Sequence, residues 1–75
     1  MSVYQLKAGE SGEIVKIDIS GGAAARLASL GITVGKRVTV LAFSLFKSSV
    51  MIGCGAVRLG MRASFAGLIE VKKCP

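Results

Sequence analysis

Residues 20 to 35, Ser20-Gly21-Gly22-Ala23-Ala24-Ala25-Arg26-Leu27-Ala28-Ser29-Leu30-Gly31-Ile32-Thr33-Val34-Gly35, constrain the chain more than any other stretch. They favour a helix in a sequence whose other segments read as strands and turns. Ala is the strongest helix former, with Leu and Arg close behind. Ser20 stands where an N-cap hydroxyl accepts from the free amides of the first turn. Gly31 stands where a left-handed residue ends a helix. Ala23, Leu27 and Leu30 share one face at i, i+4 and i+7, and Arg26 and Ser29 lie off it. So short a helix does not persist alone in water, because nucleation is costly. Leu27 and Leu30 must therefore pack against strands, and the segment reads as a plug for one end of a small barrel.

Five strands are expected around it: Glu13–Ile19, Lys36–Ser44, Val50–Cys54, Ala56–Met61 and Leu68–Lys72. Each is short and bounded by turns, and the first is rich in β-branched residues. In the first, Val15, Ile17 and Ile19 share a face and Ile14 lies on the other. In the second, Val38 and Val40 alternate with Arg37 and Thr39, and then Leu41 and Phe43 take the polar face. Either a bulge shifts the register there, or the strand end carries a patch for a partner. Gly55 is expected to bend the third strand. Val57, Leu59 and Met61 point inward on the fourth, with Arg58 outward. Arg62–Ala66 suits one helical turn, Leu6 packs down ahead of the first strand, and Lys73, Cys74 and Pro75 form a frayed end. The expected class is all-β, a small closed or nearly closed five-stranded barrel with one short helix between strands 1 and 2. Its 75 residues suit a single domain spanning 1–75, with a core that supplies only ~3–5 kcal/mol net.

With 52% apolar residues in so small a protein, some must lie at the surface, and an exposed apolar patch marks a partner site. The net charge of +6 suits an acidic partner, an anionic membrane surface or nucleic acid, and it also keeps an apolar protein in solution. Cys54 and Cys74 form no C-x-x-C pair and read as free thiols of a reducing cytoplasm. Residues 1–7 lack the apolar core of a signal peptide, and no apolar run approaches the ~20 residues of a membrane span. A cytoplasmic location is expected, with room for a place at the inner face of a membrane.

Reactive chemistry is sparse. The chain has no His, and ferrous iron favours imidazole with carboxylate. Two separate Cys and four scattered carboxylates remain, of which Glu10 and Glu13 are neighbours in a turn. No metal site and no cofactor is expected. A general base working near pH 7 is missing, and no phosphate-binding G-x-x-x-x-G-K-[ST] occurs, so no enzyme activity is expected. Gly21-Gly22 suits a tight strand-to-helix turn, or the cradle of an anion.

The spacing of these elements resembles the FeoA family, small cytoplasmic proteins of bacterial and archaeal ferrous iron uptake. The matching residues are Leu6 and Gly9 with Ile14 and Ile17, then Gly21-Gly22, Arg26-Leu27, Leu30-Gly31-Ile32, Gly35, Val38 and Val40. A second block holds Val57, Leu59, Met61-Arg62, Ala66, Ile69 and Val71. Ala8 and Val34 stand where the family often has Pro, and Ala63 and Ser64 where it often has acidic residues. The resemblance implies an SH3-like barrel and a role as accessory to a membrane ferrous iron permease with a GTPase domain. It implies transition metal ion binding only at the level of the family. A similar fold forms the C-terminal domain of iron-dependent repressors.

Binding to another macromolecule is thus the expected function. Leu45-Phe46-Lys47-Ser48-Ser49 reads as a hairpin tip with two bulky apolar residues, which either fold back over the core or meet a partner. In the adaptor reading, Leu41, Phe43, Leu45 and Phe46 contact the permease, and Lys47, Arg58 and Arg62 form a polar rim. A second reading is an RNA-binding barrel, because Gly9–Ile17 looks like a KOW motif. A third is a ligand- or ion-sensing module that occludes a partner's site. If the helix is the plug, Leu27→Ala costs about 2–5 kcal/mol of stability in urea unfolding; a variant with unchanged stability contradicts that role.

Overall fold

The computed structural model describes residues 1–74. Strands β1 (Ser11–Ile17), β2 (Arg37–Phe43), β3 (Ser49–Cys54), β4 (Val57–Arg62) and β5 (Ile69–Lys73) form one antiparallel sheet in the order β4-β3-β2-β1-β5. Helix α1 (Gly21–Ser29) joins β1 to β2, and the one-turn helix α2 (Ala63–Ala66) joins β4 to β5. A 3-10 turn at Val3–Gln5 precedes β1. The sheet curls around a core of Val3, Leu6, Ile14, Leu27, Ile32, Val38, Val40, Val50, Ile52, Ile69 and Val71. β4 and β5 do not pair with each other, so the barrel is nearly closed rather than closed.

Two bulges set which side chains face this core. In the β1–β5 pairing, Ile14 lies opposite Val71 and Lys16 opposite Glu70, so Val15 is the extra residue. Ile14 and Ile17 then both turn inward, and Val15 stands 44% exposed. This corrects the expected face of β1, which strict alternation assigned to Val15 and Ile17. In the β2–β3 pairing, Val40 lies opposite Ile52 and Ala42 opposite Met51, leaving Leu41 as the extra residue. The bulge explains the break in alternation at Leu41 and Phe43, and it returns Phe43 to the core side.

The helix ends as its sequence suggests. Gly31 has φ 81°, its N–H donates to the Ala28 carbonyl, and the Ile32 N–H donates to the Leu27 carbonyl. These two bonds form a Schellman cap, closed by the buried Ile32 and Leu27. The start differs. Ser20 occupies the N-cap position, but its hydroxyl makes no bond to the helix. Leu27 is buried and Leu30 half-buried, whereas Ala23 is exposed. Gly55 lies in the two-residue turn between β3 and β4, not within β3. The chain end is also more ordered than expected. Lys73 belongs to β5 and the Cys74 N–H donates to the Ser11 carbonyl at 2.9 Å; Pro75 lies outside the described residues.

β1 pairs on both sides at Gly12, opposite Val38 of β2 and Lys73 of β5. A Cβ at this position would lie 3.0 Å from Val71 Cβ and Cγ2 and 3.2 Å from the Lys72 carbonyl oxygen. A Cβ there fits only if β5 gives way by a few tenths of an ångström. Gly12→Ala is therefore expected to destabilise the protein by about 1–3 kcal/mol through overpacking, read as a lower urea midpoint. Beside this crossing, Glu10 accepts from Lys73 Nζ at 2.6 Å and from the Lys7 N–H at 2.7 Å. The Lys73 bond, then the Lys7 bond, holds its carboxyl below the ordinary value of 4.5. A lowered carboxylate stabilises the fold above its ordinary pKa, and that contribution is lost as pH falls through the folded value. Glu10→Gln is expected to flatten the fall of Tm with pH below 4.5; an unchanged acid limb contradicts the pairing.

Candidate functional site

The turn between β2 and β3 is a short polar frame carrying two large apolar side chains. Ser44 and Ser49 close its base: the Ser44 N–H donates to the Ser49 carbonyl, and the Ser49 N–H donates to Ser44 Oγ, each at 2.9 Å. Ser44 Oγ also lies 3.0 Å from Ser48 Oγ. The Lys47 N–H returns to the Ser44 carbonyl at 2.8 Å, closing a β-turn over Ser44–Lys47 in which Phe46 is not helical. Serines suit this frame because a short hydroxyl side chain reaches nearby backbone groups.

Inside the frame, Phe46 and Lys47 adopt φ of 64° and 56°. Left-handed backbone costs an L residue roughly 1–2 kcal/mol. At Lys47 the surroundings offset it. Its carbonyl accepts from Tyr4 Oη at 2.7 Å. Its ammonium sits 4.4 Å from the centroid of the Phe43 ring and 5.1 Å from that of Tyr4. The two rings meet edge to face at 5.8 Å. Each cation–π contact contributes about 0.5–1 kcal/mol at an exposed position. Phe46 has no such compensation and is 91% exposed, beside Leu45 at 79%. Backbone strain that the surroundings hold in place is a mark of functional segments.

The expected contact residues separate into five places. Leu45, Phe46 and Lys47 form the tip. Phe43 is half-buried and belongs to the brace beneath it. Leu41, 41% exposed, lies on the outer face of the sheet over Gly53. Arg62 lies opposite Ser49 at the base of the tip, whereas Arg58 lies opposite Gly53 at the far end of β4. Tyr4 and the serine frame went unseen in the sequence. Tyr4 is 43 residues from Lys47, and no local pattern joins them; the Ser44, Ser48 and Ser49 cluster was the one available signal.

Metal and catalytic chemistry find little here. Among the described residues no three of His, Cys, Asp and Glu gather where they would hold an ion. Cys54 is buried, with Sγ 3.9 Å from the Gly31 carbonyl oxygen, and both cysteines are unbridged. Glu10 is committed to Lys73 and the Lys7 amide. Of the four aromatic rings, Tyr4 and Phe43 pack edge to face and Phe65 is half-buried, which leaves Phe46 alone as an exposed ring for the stacking that an RNA reading needs. No helix among the described residues is long and apolar enough to cross a membrane.

The architecture is that of a small SH3-like barrel with an apolar knob at one hairpin. Comparison with solved structures agrees. The FeoA protein from Chlorobium tepidum is 28% identical at a TM-score of 0.93, over 100% of this chain and 71% of its own. Stenotrophomonas maltophilia FeoA, described as a procaryotic SH3 domain protein and solved with zinc, shares the fold at 24% identity and a TM-score of 0.81, over 96% of this chain and 89% of its own. A manganese-dependent transcriptional repressor shares it at 22% identity and a TM-score of 0.82, over 97% of this chain and 40% of its own. No curated protein matches the sequence. The FeoA domain profile matches residues 1–73. The chain therefore belongs to the FeoA domain family, which is linked to ferrous iron transport.

Because the tip spends backbone strain and buries nothing at position 46, Phe46→Gly is expected to raise stability by about 1 kcal/mol, by relieving a left-handed residue. Chemical denaturation checks this; a loss of stability would mean that the ring packs on the barrel after all.

Proposed function

We propose that this chain is an accessory of ferrous iron uptake that docks on the cytoplasmic GTPase portion of a membrane ferrous iron permease. The tip is the contact: Phe46 and Leu45 enter the partner, and Lys47 and Arg62 border them. The observation that carries this reading is Phe46, 91% exposed on a strained and braced turn. Family membership supports the pathway. The sparse reactive inventory supports contact rather than turnover as the mode of action. Burying a Phe side chain contributes about 1.5–3 kcal/mol, so Phe46 has the makings of an interface anchor, which interfaces draw from preformed aromatic side chains. Leu41 and Phe43 support the tip and outer face and contribute less. Arg58 lies outside this contact.

Phe46→Asp is expected to weaken binding to the purified GTPase portion at least tenfold, as about 1.4 kcal/mol or more of lost burial requires, with Tm unchanged. Titration calorimetry measures both the loss and its salt dependence. Apolar docking changes little with salt, whereas binding to RNA falls steeply because counterions are released. Undiminished binding by the variant overturns the role of the tip.

A further inference from the structure

β4 lies at one edge of the sheet, with β3 on one side and no strand on the other. Its register fixes which backbone groups are free. Cys54 lies opposite Val57 across the two-residue turn, and the Ala63 N–H donates to the Ser48 carbonyl at 3.0 Å. In an antiparallel pair, hydrogen-bonded and non-hydrogen-bonded positions alternate. Val57, Leu59 and Met61 therefore bond to β3, and the N–H and C=O groups of Arg58, Gly60 and Arg62 point away from it.

A groove of about 460 Å³ runs along this edge, between β4 and α1. Leu27, Leu59, Met61 and Phe65 line it, with Arg26 and Arg62, and no carboxylate does. Arg58 continues the row of cations along the strand, and Gly60 leaves a gap between the two arginines of β4. Among the described residues none of the three arginines forms an ion pair. An unpaired edge beside an apolar groove bordered by cations has the features of a strand-addition site, where main-chain bonds give affinity and alternate side chains give specificity.

We propose that the free edge of β4 accepts an extended acidic segment of a partner protein as a sixth strand. Its backbone pairs with Arg58 and Gly60. Its acidic side chains meet Arg58 and Arg62, and the alternate apolar ones enter the groove. This surface shares only Arg62 with the hairpin tip and stands whether or not the tip binds a permease.

The test is an NMR titration of the full chain with a blocked ten-residue peptide of alternating Val and Glu. Saturable shifts are expected at the Arg58 and Gly60 amides. With peptide at ten times its Kd, their exchange with solvent slows about tenfold. Reversing both charges in an R58E/R62E variant weakens binding at least about tenfold, since like charges across an interface repel. The same peptide N-methylated at alternate residues keeps its charge and loses the protection. The proposal is overturned if no shifts occur, if they map to Leu45–Lys47, or if the N-methylated peptide or an oligouridine binds equally well. It is also overturned if protection of Arg58 and Gly60 rises with protein concentration alone, which would assign the edge to a second copy of this chain.

Discussion

The barrel depends on β1 being paired on both sides. β2 and β5 close on it at Gly12, where β5 comes so near that no Cβ fits without displacement. That approach places Ile14 opposite Val71 and Ile17 opposite Ile69, which forms the middle of the core. It also leaves β4 and β5 as the two ends of the sheet, with α2 packed against β4 and against the N-terminal turn, which in turn packs against β5. In a chain with so small a core, each buried Ile or Val, at about 1.5–3 kcal/mol, is a sizeable share of net stability.

The two bulges turn this core into a surface. Each adds one residue to a strand and restores the inward phase of the residues after it. Val15 and Leu41 are the residues left outside. At β2 the consequence reaches further, because the restored phase aims Phe43 at Tyr4 and so builds the brace under Lys47. The brace in turn fixes a strained turn that leaves Phe46 in water.

Much of this was legible in the residues. The helix, its Gly31 cap, the buried Leu27, the five strands and the break at Leu41 come from composition and period, because each is a local signal. Three things were not legible. The bulge at Val15 is invisible because Ile14-Val15 offers two β-branched residues that suit either face, and only pairing with β5 decides. The hydroxyl of Tyr4 on Lys47 is a contact between distant parts of the chain. The separation of Arg58 from Arg62 requires knowing that β4 runs toward the tip from its far end. Residue types named the contact set of Leu41, Phe43, Leu45, Phe46, Lys47, Arg58 and Arg62; only the register divides it into tip, brace, outer face and edge.

A docking role for Phe46 requires the tip to be a rigid projection rather than a loose loop whose apolar residues happen to be wet. Backbone 15N relaxation at Phe46 and Lys47 measures this directly. If the serine frame, Tyr4 and the stacked cation hold the turn, the order parameters there approach the ~0.85 of the strands. Values below ~0.6 would show a mobile loop and would remove the reason for treating Phe46 as a prepared contact.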